Sequence, residues 1–156
     1  MCHATQPLPA KQGVEWLVGE ALSNLIVGLQ RHARGEKLSA MRLIQVHALD
    51  RVLEWLELHE AAALDPRAAR DAFSVERRIE WRLAGAAPAL PVWAGGYGHT
   101  VPAALALLAA LEAQGEVPME VAAHVRMLAR AASRLSARDA GTGAPVSMQR
   151  QWPSGV

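Results

Sequence analysis

The chain has 156 residues, 51% of them hydrophobic, and a formal net charge of +1. That length suits one domain with a core large enough to stand without staples, and a charge this near zero gives no global pull toward nucleic acid or a membrane surface. The single cysteine, Cys2, excludes an intrachain disulfide framework and the Cys-rich zinc patterns, which points to a reducing, cytoplasmic compartment.

Residues 1–13 show no apolar period, and Met1 to Ala10 lacks the charged start and continuous apolar stretch of a secretory signal, so a flexible N-terminus is expected there. From Val14 to Ala33 the apolar stripe Val18, Leu22, Leu25 and Leu29, extended by His32, repeats with the spacing of an amphipathic helix. Gly35 stands where a helix-ending glycine belongs, and Ser39 is placed to cap the next helix, which predicts an antiparallel helical hairpin.

The second helix is predicted from Ser39 to Leu64. Met41, Ile44, Ala48, Leu49, Val52, Trp55 and Leu56 share one arc of it, with His47, Asp50, Glu54 and Glu57 on the other side as a solvated acidic ridge. Asp65 and Pro66 open a third helix, whose core stripe is Ala68, Ala72, Val75, Ile79 and Leu83. Ala84 to His99 loses the helical period to prolines and glycines and reads as a long apolar loop.

Thr100 is placed to cap a fourth helix through Gln114, and the run Ala103 to Leu111 has no polar side, which predicts a helix at the centre of the bundle. Gly115 ends it. Val117 to Arg138 forms a last helix with Val121, Val125, Leu128, Ala132 and Leu135 as its seam, and 139–156 reads as a disordered tail. The uncharged run Leu83 to Leu111 is long enough to raise the question of a membrane span, but its prolines and glycines interrupt it and no span is expected. The result is an all-α, single-domain bundle of about five helices over 14–138.

Two faces carry organised arginines. Arg126, Arg130, Arg134 and Arg138, spaced by four, lie opposite the seam of the last helix, where planar multi-donor cations can meet carboxylates or phosphates. Arg70, Phe73, Arg77 and Trp81 share a face of the third helix and interleave cations with aromatics, as base stacking or a protein hot spot requires. In the loop, Trp93, Tyr97 and His99 could line a ligand pocket, or Trp93 could plug the end of the bundle.

No Ser/His/Asp or Cys/His set is suggested by spacing, and no histidine pair has the helical spacing of a metal site, so no catalytic residue, metal or cofactor is expected. The acidic and arginine ridges have similar length and opposite sign, which would suit pairing across a homodimer. The leading expectation is a non-catalytic helical binding protein with a protein partner, an adaptor, regulator or small subunit. Nucleic-acid binding through the Arg126 to Arg138 ridge is the alternative, and a small-ligand or metal-binding bundle with its site at Trp93 to Thr100 comes third.

Overall fold

Helix α1, Val14–Ala33, buries Leu17, Val18, Ala21, Leu22, Leu25, Gly28 and Leu29 along one side, the predicted stripe with its flanking neighbours. It ends where Gly35 takes φ +84°, a conformation that favours glycine. The Gly35 N–H then donates to His32 O at 3.0 Å and the Glu36 N–H to Arg31 O at 3.0 Å, a paired closure that satisfies the last carbonyls. The computed structural model describes residues 13–59, 74 and 76–141, and among these every regular element is helical.

The next helix starts two residues before its predicted cap. Helix α2, Lys37–Arg42, follows Glu36, and Ser39 lies inside it. The Ser39 hydroxyl accepts a hydrogen bond from the Arg31 guanidinium at 2.6 Å, so it ties the hairpin together instead of capping. The chain then widens into a π-helical segment, Leu43–Ala48, before α3, Leu49–His59. The Leu49 N–H reaches Ile44 O, five residues back, and such a bulge inserts an extra residue per turn. Ile44, Ala48, Leu49, Val52, Trp55 and Leu56 are all buried, as the arc predicts, while 60–64 lie outside the described residues.

Most of the predicted third helix lies outside the described residues as well, but its C-terminal part does not continue as one rod. Arg78 adopts a left-handed φ of +61°, and only after it does α4, Ile79–Arg82, begin. The stretch expected to be an irregular loop is built of short turns: a 3₁₀ turn at Ala87–Ala89, α5 at Leu90–Trp93 and a second 3₁₀ turn at Tyr97–His99. Prolines at 88 and 91 occupy the second positions of the first two, inside the first turn, where the missing N–H costs nothing.

Helix α6, Thr100–Glu112, has His99 rather than Thr100 in the capping position, and the Thr100 side chain is buried, its hydroxyl donating to Tyr97 O at 3.4 Å. Gly115, at φ +74°, closes α6 as predicted, and α7, Met119–Gly141, runs three residues past its expected end. Helix α7 packs on α1 and α6, and the π segment and α5 pack on α6, giving an all-α single-domain bundle. The apolar run bends through 91° between Ala87–Trp93 and Tyr97–Glu112, and among the described residues no single helix is long and apolar enough to cross a membrane.

Helix α6 is not wholly enclosed. Val101, Ala103, Ala104, Leu107, Leu108 and Leu111 are buried, but Pro102, Leu105 and Ala109 are exposed and lie on one stripe with Glu112. The expectation of a helix covered on all sides fails there, because its neighbours occupy the rest of its circumference and leave this strip uncovered.

Candidate functional site

The seam of α7 consists of Ala122, Val125, Ala129 and Ala132. Val121 and Leu128 pack at its edge, and Leu135 is 39% exposed, so the predicted seam is rotated toward the alanines, whose small side chains let the helix approach α1 and α6 closely. This rotation changes the geometry of the arginine ridge. At 100° per residue, side chains four apart advance by about 40° around the axis at each step. Arg126 therefore lies on the flank toward α6, Arg130 and Arg134 progressively further out, and Arg138 on the outer face; all four are exposed.

Between α6 and α7 this arrangement leaves an open groove of about 630 Å³, lined by Leu105, Arg126, Ala129, Arg130, Ser133 and Arg134. At one end Arg126 donates to the Glu112 carboxylate, joining the last turn of α6 to α7. Further along, the Arg134 Nε donates to the backbone O of Arg130 at 3.3 Å, which holds its guanidinium along the helix. Among the described residues Arg130 and Arg134 make no ion pair with a carboxylate, and a guanidinium carries more donors than the one bond Arg134 makes.

Of the second arginine-aromatic face, only Arg77 and Trp81 are among the described residues, and these two do not share a helix. Arg70 and Phe73 lie outside the described residues, Arg77 is exposed in the turn before Arg78, and Trp81 stands 69% exposed on α4. The left-handed Arg78 separates Arg77 from Trp81, so the two do not belong to one continuous helix. What turns the chain there is Arg82, which points inward, donates to Arg77 O at 2.7 Å and pairs with Glu57.

That pair also alters the acidic ridge. Glu57 is 7% exposed and Arg82 2%, so Glu57 belongs to the interior and not to a solvated face. Glu54 pairs with Arg51 at 2.9 Å. Burial pushes the Asp50 carboxyl above its ordinary value, with Glu76 and Glu54 adding to the rise and Arg51 and His47 opposing it. Among the described residues no group of three His, Cys, Asp or Glu side chains converges on a metal position.

Trp93 is buried in the core, whereas Tyr97 and His99 are exposed, so the three loop residues do not converge on one pocket. His99 instead lies against Gly95, where a Cβ would come within 2.8 Å of the His99 Cβ. The residue that ties this loop to the bundle, Gln45, whose side-chain amide hydrogen-bonds the backbone of Gly96, was not singled out by periodicity. It is a polar side chain inside an apolar arc, and that was its only signal. Leu105 was hidden by the opposite problem, since a helix apolar on every side does not say which side stays uncovered.

Compared with family models, curated proteins and solved structures, the chain matches none.

Proposed function

We propose that the chain is a non-catalytic helical binding protein, an adaptor, regulator or small subunit of a larger assembly, that holds an anionic partner on the α7 face. The observation that carries this is the pair Arg130 and Arg134, exposed beside the α6–α7 groove with no carboxylate partner among the described residues. Arginine suits this role because its planar fork of donors binds carboxylate or phosphate in two-point fashion. Cys2, as the only cysteine, supports a cytoplasmic setting.

Affinity purification of the tagged chain from its native cells, wild type beside the Arg130→Glu/Arg134→Glu variant, tests the proposal. A stoichiometric partner is expected with the wild type and not with the variant. Equal recovery with both would overturn it.

Nucleic acid is the second reading, and the spacing of the ridge favours it. Residues four apart on a helix rise by about 6 Å, which allows successive guanidiniums to meet successive phosphates. Binding of this kind weakens steeply with salt through counterion release.

A further inference from the structure

The α6–α7 groove carries more information than its charge. Pro102, Leu105 and Ala109 form an exposed stripe on α6, and Ala129 lies at the base of the α7 side of the groove. Water ordinarily selects polar residues for an outer helix face. Here the uncovered strip is apolar along its length and ends at the Glu112–Arg126 ion pair. Arg130 and Arg134 line the groove with Leu105, the middle residue of that strip.

We infer that this groove docks an acidic amphipathic helix from a protein partner, with apolar residues seated on Leu105 and carboxylates of the same helix on Arg130 and Arg134. The inference rests on the proposed binding role and names its partner. The match is one of pattern and pitch. Any α-helix repeats i and i+4 side chains with the same rise of about 6 Å, so two carboxylates four apart fall into step with Arg130 and Arg134. Apolar residues at i+3 and i+7 of such a helix flank the carboxylate row and face the α6 strip, the helix-in-groove mode of recognition.

A nucleic acid fits the same surface less well. Phosphates laid in the groove would lose water against Leu105 and Ala129 without an apolar partner in return. The residues lining the groove include no aromatic on which a base could stack. Glu112, although paired with Arg126, adds a negative charge at one end, which disfavours a continuous polyanion and is tolerated by a partner with spaced carboxylates.

The test uses the full chain and a synthetic helical peptide of about five turns, with glutamates at i, i+4 and i+8 and leucines at i+3 and i+7. Three controls accompany it: a scrambled peptide of equal charge, the same pattern with lysine for glutamate, and a single-stranded oligonucleotide, all followed by fluorescence anisotropy at low salt. The patterned acidic peptide is expected to bind at least about tenfold more tightly than the scrambled one. Leu105→Glu and Ala109→Glu, both at exposed positions and checked for helicity by circular dichroism, should each weaken it by about tenfold or more, as should Arg130→Glu/Arg134→Glu.

Equal binding of patterned and scrambled peptides, or indifference to both apolar-strip variants, would overturn the inference and leave the arginine face intact. Tighter binding of the oligonucleotide with the same arginine dependence would overturn it in favour of nucleic acid. Failure of every probe to bind would count against both the inference and the wider proposal.

Discussion

The side-chain amide of Gln45 and the backbone of Gly96 exchange two hydrogen bonds across 51 residues of chain. Gln45 Nε2 donates to Gly96 O at 2.8 Å, and Gly96 N donates to Gln45 Oε1 at 2.7 Å. Gln45 sits in the π segment, 7% exposed, so the amide serves the turn before α6 as a neighbouring backbone would. Gln45→Glu keeps the shape and the acceptor but removes the donor to Gly96 O, and Gln45→Leu removes both. Each is expected to lower stability by about 1–3 kcal/mol through the polar groups it strands. Urea denaturation checks this, and a midpoint unchanged in both variants would rule it out.

Gly96 itself is held at φ +91°, ψ −171°, a region open to glycine and strained for other residues. Gly96→Ala is expected to cost about 1–3 kcal/mol even though nothing lies within 4 Å of the added Cβ. Thermal melts of this variant beside Gly98→Ala, whose Cβ also meets open space without a positive φ, isolate the backbone effect from side-chain volume. A similar loss in both would show that conformational strain at Gly96 is not its cause.

A different constraint operates at the α1–π contact. A Cβ on Gly28 would come within 2.6 Å of Ile44 Cγ1 and 2.8 Å of its Cδ1, so the two segments touch where only a hydrogen side chain fits. Overpacking predicts that Gly28→Ala destabilises by about 1–3 kcal/mol despite its better helix propensity. Ile44→Ala alone opens a cavity, and the two changes together should cost less than their sum because each relieves the other. Simple additivity in the double-mutant cycle would show that the clash is not what makes Gly28 necessary.

How much of this was legible depended on whether a residue's role is local or paired. The stripe Val18, Leu22, Leu25 and Leu29 and the glycine ends at Gly35 and Gly115 follow from local period and backbone preference, and all are found. Glu57 belongs to a helix face that reads as solvated, and the return of the chain with Arg82 places a buried guanidinium against it. The left-handed Arg78 was invisible for a related reason, since the apolar period through Val75, Ile79 and Leu83 carries no sign that the chain turns between them. At the candidate site the arginines were legible as a row. Their spiral from flank to outer face, and the apolar strip on α6, depend on which neighbours α6 and α7 have.

The Arg82–Glu57 pair is buried on both sides, and two charges withdrawn from water tolerate each other only together. Arg82→Met leaves the Glu57 carboxylate without its guanidinium and is expected to cost about 3–5 kcal/mol. Arg82→Met/Glu57→Leu removes both charges and should recover a large part of that loss, since an apolar pair of similar volume does not carry the desolvation penalty. If the double variant is as unstable as the single one, the value of the pair lies in the shape of the turn at Arg77 and Arg78 and not in charge compensation.

His32 couples the bundle to pH. Its Nε2 lies 3.0 Å from Ser136 Oγ, joining α1 to α7, while Nδ1 is buried with no partner among the described residues. Burial, reinforced by the positive charge of Lys37, holds the imidazole below its ordinary value of 6.5. The unfolded chain therefore takes up a proton near 6.5 while the folded chain stays neutral. The stabilising contribution is complete above 6.5 and drains away as pH falls from there through the lower folded value. The rise at Asp50 acts in the other direction, favouring the folded state at low pH and losing that advantage as pH climbs from 3.8, and it is common to wild type and variant. His32→Gln retains a polar atom for Ser136 and does not titrate, so its stability should decline less than that of the wild type between about pH 7 and pH 5. Urea midpoints across that range decide the matter: parallel slopes for the two proteins would mean that protonation of His32 contributes nothing to the acid sensitivity of the α1–α7 contact.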